Sequence, residues 1–286
     1  EAARRGPQLA LEFTGAKGRE PRAARSANAA LVDGNALAGA LPLFEAMALA
    51  QPARWNLMTV LDDVAISLPQ PNGRRWEPAN IDGVQHGEVS LLEALAHSYN
   101  LATVDLGLEL GVERVARVIE ALVPGTQVAP NPSLLLGAVE LSPLQVAQAY
   151  QYLAADGRPL ALYSVEAVLD AQGRPLRRHA EPPTPGDLVA ASRLVGFALQ
   201  ETARSGTARA LAGLGLGALN AAGKTGTSND QRDSWFAGYT GQHLAVAWVG
   251  RDDNQQTALF GATGALRVWA ALFAKLPTEP LVLDLR

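Results

Sequence analysis

The sequence predicts a single α/β domain, and three observations carry that expectation. A stretch near the N-terminus alternates as a strand does, the middle of the chain is helical over most of its length, and apolar stretches separated by short turns end it as an antiparallel meander. That order implies a sheet joining the two ends of the chain, with helices packed on it. The 286 residues are about twice the common domain length, still within reach of one sheet-and-helix domain.

Each element follows from its own residues. "PQLALEFTGAKGREPR" alternates moderately and offers a turn at Gly15 or Gly18. "LAGALPLFEAMALA", Leu37 to Ala50, is apolar and helical, with Pro42 expected in the first turn, where its missing N–H costs nothing. "VAISLPQPNGRRWEPANID" carries turn chemistry at Pro71-Asn72-Gly73 and reads as a hairpin or extended loop. "VSLLEALAHSYNLATVDLGLELGVERVARVIEALV" repeats apolar residues at three and four spacing, with a break near Ser98-Tyr99-Asn100. "LSPLQVAQAYQYLAADG" opens with Ser142 as N-cap and Pro143 at the first helical position, and ends at Gly157. "LALYSVEAVLDAQGRPLRR" is a β section turning at Gln172-Gly173. The Pro-rich "AEPPTPGD" joins it to a helix from about Leu188 to Arg204. The stretch around Lys224, "SWFAGYT" and "LAVAWVGRD" form the meander, and "ALRVWAALFAKL" is a closing helix. No internal repeat is visible, and low complexity is confined to the Pro-rich linker and "ALAGLGLGAL".

Composition excludes several functions. A hydrophobic content of 48% with 18% charged residues argues against global disorder. The net charge of −4 and the absence of a basic run give no electrostatic case for nucleic acid. There are no cysteines, which removes disulfides, thiolate catalysis and cysteine-ligated metals and leaves the redox compartment open. No apolar run approaches the ~18 residues that cross a bilayer. "EAARRGPQLALEFTGAKGRE" has neither an initiator Met nor a signal-peptide core, so it reads as the cut edge of a longer chain with any anchor upstream.

Of the 24 basic residues only Lys17, Lys224 and Lys275 are lysines, and Lys224 sits in "AAGKTGTSNDQRDSWFAGY". A lysine beside glycine is usually a solvated turn residue, but these neighbours differ. Gly223 and Gly226 remove side chains on either side, so another molecule can approach the backbone. Thr225 and Thr227 supply hydroxyls, an edge strand here can hydrogen-bond an extended peptide, and an ammonium among hydroxyls favours a carboxylate. The stretch "GKTGTSND…DSWFAGY" closely resembles the KTG strand of bifunctional class A penicillin-binding proteins of the 1b type. The resemblance covers almost the whole chain. Ser98-Tyr99-Asn100 matches the family's S-x-N element, and "QPARW", "PNGRRWEPAN", "LLLGAVELSPLQVAQAY", "SGTARAL", "WVGRDDNQ" and "LFGATGAL" fall in the family's order. It implies a penicillin-binding/β-lactamase-like fold, a five-stranded antiparallel sheet flanked by helices on both faces. It also implies cross-linking of peptidoglycan stem peptides ending in D-Ala-D-Ala through an acyl-enzyme on serine, the group β-lactams acylate, with no cofactor or metal. Ser98, Asn100 and Lys224 would be catalytic, and Thr225, Gly226 and Thr227 would bind substrate. The domain would span 1–276 with a tail at 277–286, partnered by an upstream glycosyltransferase domain, in a periplasmic protein anchored to the bacterial inner membrane.

One family motif is missing. Counting back from "QPARW", the family's S-x-x-K-P falls on "LAGALP", which places Ala38 at the nucleophile position and Leu41 at the general base. The tract before it, "AARSANAA", departs from the family as well. The residues three before each lysine are Thr14, Ala221 and Leu272, so no S-x-x-K exists elsewhere; Thr14-Gly15-Ala16-Lys17 has the spacing but lies in a strand-turn. The chemistry needs a hydroxyl and a neutral amine one helical turn away, and loss of a triad nucleophile costs ~10⁶ in turnover. What is left is binding apparatus: the backbone N–H groups of Ala38 and Thr227 for an oxyanion, the Lys224 strand for a carboxylate, and Asn100 for a peptide amide. The readings in competition are a pseudoenzyme that grips stem peptides, an active D,D-transpeptidase whose nucleophile is misaligned or lost by an altered sequence, and neutral decay of the site.

For other polar groups bland roles are expected. Asp62-Asp63 and Asp252-Asp253 read as solvated turn carboxylates, and His86, His97, His179 and His243 lack ligand spacing. Trp235 and Trp248 read as core, and Glu45 and Glu93 as exposed helical positions.

Overall fold

The computed structural model describes residues 8–11, 37–70, 72–123, 125–158, 160, 162, 167–178, 188–251 and 253–285. In chain order these form β1 (Gln8–Leu11), α1 (Leu37–Leu49), β2 (Val60–Asp63), β3 (Leu68–Pro69), β4 (Arg75–Trp76) and β5 (Gly87–Ser90). Then come α2 (Leu91–His97), α3 (Asn100–Leu110), α4 (Val112–Leu122), α5 (Pro143–Ala154), β6 (Ala167–Leu169), β7 (Pro175–Arg178) and α6 (Val189–Arg204). The chain closes with α7 (Ala210–Gly213), β8 (Ala222–Thr227), β9 (Ser234–Tyr239), β10 (His243–Val249) and α8 (Ala265–Phe273).

The main sheet runs β1-β10-β9-β8. The meander is antiparallel, with Lys224 opposite Ala237 and Trp235 opposite Trp248. Among the described residues the sheet has four strands rather than five, and β1 lies parallel to β10. A parallel pair needs a long connection, and nearly the whole domain separates these two strands. The turn expected at Gly15 or Gly18 lies outside the described residues. Strand periodicity divides the core. Trp235, Ala237 and Tyr239 of β9 join a core built with α1, α5 and α6. Phe236, pointing the other way, joins a second core in which its ring meets Trp269 of α8 edge-on at 5.3 Å. Helices thus cover both faces. Trp235 is core as expected, while the half-buried Trp248 directs its indole N–H to Asp233, 2.9 Å away.

Local chemistry explains two of the helix starts. Ser142 and Gln145 form a capping box on α5 behind Pro143, and Ser90 and Glu93 form one on α2. β3 and β4 pair around the turn carrying Gly73 at φ +76. Pro42 departs from expectation: α1 begins at Leu37, so the proline sits in the second turn and leaves the Ala38 carbonyl without its i+4 donor. Burial of Leu43, Ala46, Met47 and Ala48 offsets that loss by packing the rest of α1 into the core. The end of the chain is laced to the domain. Gly241 N–H donates to Glu279 C=O, Leu281 N–H to Leu219 C=O, and Thr240 and Thr278 share a hydroxyl bond.

Candidate active site

The cleft is assembled where α2 breaks into α3. Ser98 caps α2 in the left-handed conformation, φ 60 and ψ 47, and Tyr99 begins α3 without a side-chain cap of its own. Donors orphaned at that helix start are satisfied from far away in sequence. The Asn80 side-chain oxygen Oδ1 accepts from Asn100 N–H at 2.6 Å, and the Asp63 carboxylate accepts from Ala102 N–H at 3.0 Å. Asp63 also accepts from Asn80 Nδ2 at 2.6 Å and from the backbone and ring Nδ1 of His86 at 2.9 and 2.7 Å. Burial pushes Asp63 up, but the His86, Ala102 and Asn80 hydrogen bonds outweigh it and hold the carboxyl below its usual range. Tyr99 is stacked on His86 at 3.9 Å and on His97 at 5.5 Å. Asp63 is therefore not a solvated turn carboxylate: at 0% exposure it is the anchor of the S-x-N junction. Asp62 and Asp253 are exposed as expected, and Asp252 and His179 lie outside the described residues.

Across the cleft stands β8, an edge strand of the sheet. Lys224 is 0% exposed, and its Nζ donates to Ser98 Oγ at 2.8 Å and to the Thr225 carbonyl at 3.2 Å. Burial lowers its pKa to about 8 and the charge of Glu45 pulls it back up. The Thr225 hydroxyl donates to Thr207 Oγ1 at 2.8 Å, and Thr227 Oγ1 accepts from Gly261 N–H at 3.0 Å. Asn100 donates from Nδ2 to the Ala79 carbonyl at 2.7 Å. Ser98, Asn100, Thr207, Thr225, Gly226 and Thr227 line one cavity of about 320 Å³, with Ile81 and Phe260 as apolar residues at its rim. A buried ammonium held by one hydroxyl and one carbonyl, beside strand hydroxyls and an open strand edge, is suited to gripping a carboxylate-terminated extended peptide.

Of the six site residues expected on the S-x-N and lysine segments, Ser98, Asn100, Thr225, Gly226 and Thr227 line the cleft, and Lys224 lies sealed behind it, bonded to Ser98. Ala38 and Leu41 lie in α1, which packs against β8; their side chains lie outside the described residues. Gly223 does not admit a ligand. A Cβ there would meet Phe236 Cζ at 2.7 Å and Ala237 O at 2.8 Å, so the glycine serves strand packing. Glu45 is not on an exposed face either: it is 1% exposed, its Oε2 has no hydrogen-bond partner, and burial raises its pKa well above the usual value against the pull of Lys224. Glu93 is exposed and completes the α2 capping box. Asn80 and Thr207 were within reach of sequence reasoning only as parts of "PNGRRWEPAN" and "SGTARAL". Among the described residues no cluster of His, Asp and Glu is arranged to hold a metal.

The family described as penicillin binding protein transpeptidase domain matches residues 46–263. The chain belongs to the penicillin-binding protein transpeptidase family. The transpeptidase match begins after Ala38 and Leu41. Penicillin-binding protein 1B of Vibrio cholerae is 43% identical over 225 residues, covering 78% of this chain and 29% of that protein. Penicillin-binding protein 1B of Escherichia coli is 40% identical over 240 residues, covering 82% and 28%. These relatives place the domain with the class A members, and the chain spans less than a third of their length. Penicillin-binding protein 1A of Haemophilus influenzae superposes with a TM-score of 0.72 at 22% identity, over 88% of this chain and 44% of the other. The fold is thus the penicillin-binding/β-lactamase-like fold.

Proposed function

We propose that this transpeptidase-family domain works in peptidoglycan synthesis as a stem-peptide-gripping pseudoenzyme. It receives the terminal carboxylate of a D-Ala-D-Ala peptide, or of a β-lactam, at Lys224, Thr225 and Thr227. It does so without the acylation that the family performs at the positions of Ala38 and Leu41, because a methyl group cannot attack and an isobutyl group cannot take a proton. In the full-length chain it accompanies a glycosyltransferase domain, in the bacterial periplasm, held to the inner membrane by an upstream segment. Among the described residues no helix is long and apolar enough to cross a membrane. The observation that carries the reading is the intact Lys224–Ser98 bond at the base of a cleft lined by Thr225, Gly226 and Thr227.

Two measurements test it. Titration with an acyl-D-Ala-D-Ala peptide should show binding that Lys224→Ala weakens by about tenfold or more, the cost of one charge-assisted hydrogen bond. Equal affinities, or no binding by either protein, remove the clamp. Incubation with a fluorescent penicillin followed by intact-mass analysis should show no adduct. A second reading, an active D,D-transpeptidase, is favoured by one observation: Ser98 Oγ and Lys224 Nζ form a hydroxyl–amine pair 2.8 Å apart in the cleft. A structure of penicillin-binding protein A from Mycobacterium tuberculosis is described as a ceftriaxone acyl-enzyme complex, with a TM-score of 0.64 at 20% identity. A penicillin adduct here, mapped by peptide sequencing to Ser98 or any other residue, would establish the active reading.

A further inference from the structure

Glu45 is the one buried acid for which the motifs give no role. It follows Leu41 by four residues and Ala38 by seven, so all three positions share a face of α1. That helix packs against β8, the strand of Lys224, and against β9, α5 and α6. The Glu45 side chain is sealed from solvent and its Oε2 has no hydrogen-bond partner. Lys224 is equally sealed; an ammonium offers three N–H donors, and two of these meet Ser98 and Thr225. Burial works against the charge of both groups, and the opposite charge of each offsets part of that cost for the other.

We propose that Glu45 is a positioning residue for the carboxylate clamp: a buried acid that balances Lys224 and keeps it in the ammonium form a ligand's carboxylate requires. The proposal rests on the peptide-gripping reading for its purpose; the pairing of the two groups is argued from their common burial and from the packing of α1 on β8. The helical face that faces β8 would thus carry an acid that sets the charge of the strand lysine, in a chain whose own helical lysine position is Leu41. Other titratable groups near the pair are Tyr150 on α5 and Tyr239 on β9, and burial raises both, so neither is charged near neutrality. Charged side chains of α3, α4 and α6 are at least partly exposed. Among the described residues, Lys224 is the charge that acts on Glu45, and Glu45 the charge that acts on Lys224. His97 lines the cleft mouth, so ligand titrations are run in a His97→Gln background as well.

The test uses the small number of lysines. With 13C-labelled lysine only three side chains give signals, and the Lys224 resonance is assigned by its loss in Lys224→Ala. In the wild-type protein Lys224 should titrate near 8. In Glu45→Gln its midpoint should fall by about one unit, the usual effect of removing an opposite charge nearby. The affinity of an acyl-D-Ala-D-Ala peptide should then fall about fivefold at pH 8 and hardly at pH 6, following the smaller ammonium fraction. A purely structural role would cost the same at both pH values. Superimposed Lys224 titrations in wild type and Glu45→Gln overturn the proposal. So does a wild-type Lys224 whose midpoint lies below neutral pH, because the acid then fails to hold it as an ammonium, a measurement that does not depend on any variant folding. If Lys224 shifts as expected while no peptide binds, the coupling is upheld and the peptide reading fails.

Discussion

Asp63 and Glu45 are both sealed carboxylates, and they respond to burial in opposite ways. Asp63 is met by four hydrogen-bond donors and is held below its usual range, whereas Glu45 has an oxygen without a hydrogen-bond partner and is pushed above it. The linkage signs follow. For Asp63 the folded value lies below the unfolded one, so its stabilisation is present above pH ~3.9 and is lost as pH falls through the folded value. For Glu45 the folded value lies above, so its contribution is present below pH ~4.3 and is lost as pH rises through the folded value. Asp63→Ala should cost about 3 kcal/mol at neutral pH, since it strands several buried donors, and should flatten the acid limb of the urea stability profile. Glu45→Gln should instead flatten the decline that sets in above pH ~4.3 in the same denaturation series. Neither role was legible in "LDDV" or "FEAM". A carboxylate in a short acidic pair reads as solvated, and only the fold brings His86, Asn80 and Ala102 to one of them.

At the scale of elements, what could be read was what is local. The Ser142 cap and first-turn Pro143 of α5, the helix break at Ser98, the turn at Gly173 and the β8-β9-β10 meander are each encoded within a few residues. Failures came where a tertiary contact decides. Pro42 sits a turn deeper than propensity predicts because α1 is held by its core face. Gly111, at φ +89, separates α3 from α4 where the apolar periodicity runs on unbroken. Asn80 and Asp63 cap α3 from 20 and 39 residues away, beyond any local rule. A further long-range contact carries a prediction. Gly206, just beyond α6, lies against the backbone of Ala96, with an added Cβ only 2.7 Å from its carbonyl carbon, and Thr207 N–H donates to the same carbonyl. Gly206→Ala must push α6 and α2 apart, so a loss of about 1–3 kcal/mol in urea denaturation is expected. Peptide affinity should fall with it, because the displaced segments carry Thr207 and Ser98. Unchanged stability would show that the contact yields freely.

For the molecule as a whole, the α/β class and helices on both faces of the sheet were legible in the sequence. The cleft draws its walls from chain segments far apart in sequence, and the Lys224–Ser98 bond spans 126 residues. That sealed ammonium also makes the domain its own gauge of breathing. Lys275 is exposed and will react with an amine-acylating reagent at once, while Lys224 can react only in those moments when the walls part. The ratio of the two labelling rates, read by peptide mass spectrometry, therefore counts opening events, and an occupant of the cleft should slow the second rate and leave the first untouched.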